Sequence, residues 1–79
     1  MTIKEFIKRE KEKNSIIGFA IELTYEDLKY SEDCKWLAEK YKNELFGMLK
    51  ILKLTNYITE EEHHELFINT QEEYRKVIG

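Results

Sequence analysis

Apolar residues recur along this chain at steps of three and four, the spacing that lays them on one face of an α-helix. The clearest run is Leu37, Ala38, Tyr41, Leu45, Met48, Leu49 and Leu52, with Cys34 in phase. Ser31 is placed to cap that helix, with Glu32 and Asp33 on its electropositive first turn. Thr55-Asn56 ends it. A shorter stripe of Ile3, Phe6 and Ile7 follows Thr2, which has capping-box spacing to Glu5. The segment Lys8–Lys13 carries charge on nearly every side and reads as solvated, and Asn14 suits a left-handed helix end. A last helix begins at Thr59, again with capping-box spacing, to Glu62. Leu66, Phe67, Tyr74 and Val77 share its face with His63 and Thr70. A second cap signal, Thr70 to Glu73, could split or kink this helix near Asn69. The short connection Thr55–Ile58 makes the last two helices an antiparallel hairpin.

Residues 16–30 fit two templates. At period two, Ile17, Phe19, Ile21, Leu23 and Tyr25 alternate with Gly18, Ala20 and Glu22, as in a half-buried strand. At 100° per residue, Gly18, Glu22, Glu26 and Lys29 form a narrow polar stripe and the apolar residues fill the remaining arc. Helix is preferred, because a strand needs a partner and the chain offers no second strand. A strand here would have to pair across a dimer. The predicted fold is therefore all-α: a single domain over residues 1–79, a three- or four-helix bundle with a long central third helix and a C-terminal helical hairpin.

Composition bears on what supports the fold. Hydrophobic residues make up 42% of the 79, enough for a folded rather than a disordered chain. A core of this size contributes roughly 3–5 kcal/mol. One cysteine excludes an internal disulfide, so self-association or a protein partner is the expected support. The longest apolar run, Ile16–Ile21, falls far short of the ~20 residues of a membrane span. The N-terminus shows no signal-peptide pattern, so a cytoplasmic location without membrane contact is expected.

Candidate chemistry is sparse. His63 and His64 are adjacent and point about 100° apart on a helix, unlike histidines four apart that share a metal. Cys34 reads as an inert core thiol. There is no phosphate-binding glycine loop and no nucleophile or zinc motif. No catalytic residue, cofactor or metal is expected. A net charge of −3 gives no general footprint for nucleic acid. The alternative function, a small DNA-binding regulator, rests on Lys4, Lys8, Arg9, Lys11 and Lys13, which Glu5, Glu10 and Glu12 interleave. Glu22, Glu26, Asp27, Glu32 and Asp33 form a candidate acidic patch.

The main anomaly is on the third helix. Trp36, Gly47 and Leu54 lie opposite its core face, with Ile51 and Phe46 flanking. A mid-helix glycine costs about 1 kcal/mol and permits close approach. Trp36, Gly47, Ile51 and Leu54 are the candidate interface, for a second copy or another protein, unless neighbouring helices cover them within the monomer.

The stretch Asn43-Glu44-Leu45-Phe46-Gly47-Met48-Leu49, followed by Tyr57-Ile58-Thr59-Glu60-Glu61-Glu62, resembles small helical proteins of phages and integrative elements of low-GC Gram-positive bacteria. The resemblance covers roughly half the chain and carries no functional residues. It implies an accessory protein of a mobile element, such as a regulator or an inhibitor of a host defence protein.

Overall fold

Four helices and no strand make up the computed structural model, which describes all 79 residues. They are α1 (Ile3–Glu12), α2 (Ile16–Lys29), α3 (Lys35–Leu54) and α4 (Glu60–Ile78). The fold is an all-α four-helix bundle, with α2 helical as the polar-stripe reading expects. Each helix packs most extensively on its neighbour in sequence, as short connections dictate. α3 lies between α2 and α4; α2 and α1 also touch α4, while α1 and α3 do not meet. The molecule measures 34 × 23 × 17 Å.

Local chemistry sets the helix ends. Thr2 with Glu5 and Thr59 with Glu62 form complete capping boxes, and the Ser15 hydroxyl accepts from the Ile17 N–H. Asn14 and Asn56 adopt positive φ, 54° and 60°, reversing the chain after α1 and α3. The start of α3 differs from expectation. The helix begins at Lys35, Cys34 is its N-cap, and no side chain caps it. Ser31 is buried, and its hydroxyl donates to the Asp27 carbonyl at 2.6 Å. Ser31 thus satisfies the end of α2 rather than the start of α3. A turn closed by Cys34 N–H to Ser31 O leaves Cys34 half-buried beside the core, not within it.

The core is built from one face of each helix: Ile3 and Phe6 of α1, Ile21 and Leu28 of α2, Leu45 and Leu49 of α3, Leu66 of α4. Met48 and Tyr41 pack against it half-buried. Three expectations of orientation are overturned. Gly18 does not face solvent. It is buried under α1, and a Cβ there would stand 2.8 Å from the Glu10 Cβ and 2.9 Å from the Lys11 nitrogen. Glu22, on the same stripe, binds Lys11 at 2.9 Å. The polar stripe of α2 is thus the seat of α1, and much of the apolar arc is left outside.

The second correction is Glu10, fully buried within a segment read as solvated. Its carboxylate accepts the Tyr57 hydroxyl and bonds Lys13 at 3.4 Å, while neighbouring Arg9 reaches Glu62 at 3.0 Å. These contacts tie the end of α1 to the α3–α4 connection. The third is α4, which runs unbroken. Thr70 donates its hydroxyl to the Leu66 carbonyl within the helix, and Asn69 accepts the free N–H of Ile3 at 2.8 Å. Both side chains are used in ways compatible with a continuous helix.

Candidate protein-docking face

With α1 seated on its polar stripe, α2 turns apolar side chains outward. Ile16 is 82% exposed and Leu23 65%; Phe19 and Tyr30 are exposed as well. On α3, Ile51 is 62%, Leu54 67% and Trp36 69% exposed. The two helices meet around a cleft of about 170 Å³ whose lining is wholly apolar, Ile17, Ala20 and Ile21 facing Met48, Ile51 and Leu52. Ile16 and Leu23 flank it along α2, and Leu54 lies one turn beyond Ile51 on α3.

The interface residues expected from sequence are all exposed, but not all together. Gly47, Ile51 and Leu54 occupy adjacent turns at one end of α3. Trp36 is eleven residues before Gly47, about 16 Å along the helix, with exposed Lys40 and Asn43 between. It stands instead at the α2–α3 connection, the end that also carries Tyr30. Phe46 is not part of the face: its ring stacks on Phe67 of α4, centroids 4.4 Å apart. No atom approaches within 4 Å of a Cβ built on Gly47, so packing inside the monomer gives no reason for glycine there.

Charge is distributed unevenly. The ion pairs are Met1–Glu65, Arg9–Glu10, Arg9–Glu62, Lys11–Glu22, Lys13–Glu10 and Lys29–Glu73, and none involves α3. Of the expected acidic patch, Glu22 faces α1 and is paired. Glu26, Asp27, Glu32 and Asp33 are exposed and unpaired. The N-terminal cations are mostly engaged: Arg9, Lys11 and Lys13 each hold a glutamate. Lys4 and Lys8 line a groove of about 490 Å³ between α1 and α2, but Glu12, Glu22 and Glu26 line it too. His63 is half-buried and its ring lies 6.2 Å from that of Phe67; His64 is in solvent. No three metal-ligating side chains converge, and no helix is long and apolar enough to cross a membrane.

Sequence reasoning missed Ile16, Phe19, Leu23 and Tyr30. The signal was present in the width of the apolar arc of α2. In a bundle of four short helices even α2, which touches the other three, cannot bury an arc that wide, so part of it must lie outside.

No protein-family model, no curated protein and no solved structure matches this chain.

Proposed function

We propose that this chain is a non-catalytic protein-binding module that docks a partner on the outer face of α2 and α3. The reading fits a cytoplasmic regulator, or an inhibitor of a host defence protein, carried by a phage or integrative element. The observation that carries it is the set Ile16, Leu23, Ile51 and Leu54, all more than half exposed around an apolar cleft, in a bundle whose core is complete without them. Scattered apolar residues on a surface need no explanation. A contiguous apolar patch on a monomer marks an interaction site. Gly47 adds to this, because it weakens α3 and serves no contact inside the molecule. DNA binding draws less support, since three of the five N-terminal cations, Arg9, Lys11 and Lys13, are held by internal glutamates.

The test is a paired capture from lysate of a low-GC Gram-positive host. The wild-type chain and a Leu23→Glu/Ile51→Glu double variant are immobilised after circular dichroism shows both equally helical. A protein held by the wild type and absent from the variant supports the reading. Equal retention on both, or on neither, overturns it.

A further inference from the structure

We infer that the occupant of the α2/α3 face is a basic amphipathic helix of another protein, its apolar side seated in the cleft and its cations on the acidic end. The inference rests on the docking reading and adds the chemistry of the partner. Three observations carry it. The cleft is a trough between two helices lined only by apolar side chains, the shape that accepts one face of a third helix. At the α2–α3 connection stand Asp27, Glu32 and Asp33, exposed and in no ion pair. That same end presents Tyr30 and Trp36, 85% and 69% exposed, whose ring faces attract lysine and arginine.

A second copy fits less well. The exposed charged residues of α3 are Glu39 and Glu44 against Lys35, Lys40 and Lys50, so together with Asp27, Glu32 and Asp33 the acids outnumber the bases. Two such faces brought together would repel. A cationic helix meets the excess, and opposite charge both speeds encounter and fixes orientation.

Trp36 is the sole tryptophan and lies at the acidic end, so its emission reports the event directly. The probes are three synthetic peptides of about 14 residues, the length of α2, with one leucine pattern and with lysine, glutamine or glutamate at the polar positions. Binding of the lysine peptide is expected to shift Trp36 emission to the blue and to weaken about ten-fold between low and high salt. It should also weaken about ten-fold in the triple variant Asp27→Asn/Glu32→Gln/Asp33→Asn, and be lost in Leu23→Glu/Ile51→Glu. Equal binding of the lysine and glutamine peptides overturns the inference while leaving the docking face standing. Binding of none of the three also overturns it, and the capture experiment then judges the docking face independently. A wild-type dimer in sedimentation, insensitive to salt and lost in Leu23→Glu/Ile51→Glu, would identify the occupant as a second copy and overturn it too.

Discussion

Two of the three glycines sit inside helices and have opposite effects. Gly18 lies where the α1 backbone crosses α2, with no room for a methyl group: the nearest atoms are a Cβ and a backbone nitrogen, at 2.8 and 2.9 Å. Gly18→Ala is expected to cost about 1–3 kcal/mol, because a helix backbone must shift to admit it. Gly47 is open, and Gly47→Ala is expected to stabilise the fold by roughly 0.5–1 kcal/mol through helix propensity alone. Urea denaturation followed by circular dichroism measures both. If Gly47→Ala stabilises the bundle yet weakens capture of a partner, the glycine is kept for approach from outside. Tyr57→Phe removes a donor from the buried Glu10 carboxylate and should cost about 1–3 kcal/mol.

At the scale of the helix, orientation is the quantity to test. Ile21 and Leu23 are two residues apart on α2; one is buried and the other 65% exposed. Ile21→Ala is expected to lose about 2–5 kcal/mol, whereas Leu23→Ala should stay within about 0.5 kcal/mol of the wild type. Comparable losses at both would mean that α2 is turned differently. Orientation was also where the sequence was hardest to read. Periodicity and caps located the helices, since Thr2 and Thr59 act on their own N-terminal turns whatever packs nearby. The rotation of α2 depended on which neighbour takes which stripe, and that was settled by Gly18 admitting the α1 backbone and Lys11 meeting Glu22, contacts between separate elements. Ser31 and Thr70 misled for a related reason. A hydroxyl that can cap an N-terminus can equally bond a carbonyl four residues back, and only the path of the chain decides. On α3 the exposed face carried its own signal in Trp36, Gly47 and Leu54, and its companion on α2 was hidden by the same ambiguity of rotation.

For the whole molecule, the titratable groups set how stability follows pH. Burial pushes the Glu10 carboxyl up, but donors from Tyr57, Lys13 and Ser15 outweigh it and hold it below the usual range. The Thr59 N–H and then Arg9 lower Glu62. Burial, then Lys53 and His64, lowers His63. All three are depressed in the folded state, so each contributes stability above its unfolded pKa and loses it as pH falls through the folded value. Stability should therefore begin to decline below about pH 6.5 through His63 and again below about 4.3 through the glutamates. Burial and the facing Glu73 raise Tyr25, so its contribution is complete below about pH 10 and is lost at higher pH. Urea midpoints measured across pH check this, and His63→Gln should erase the first acid step only.

The packing order, with each helix resting mainly on the one before it, has a kinetic consequence. Most native contacts join segments close in sequence, so little chain entropy is lost before contacts begin to repay it. Refolding should then be complete in microseconds to milliseconds, the range of bundles with local contacts. The chain contains no proline, so the slow isomerisation phase that interrupts many refolding traces has no source here. A single fast exponential in stopped-flow or temperature-jump circular dichroism is the expected trace. Newly made chains would then expose their apolar residues to one another only briefly, and the open α2/α3 face would be a surface of that kind that folding leaves available.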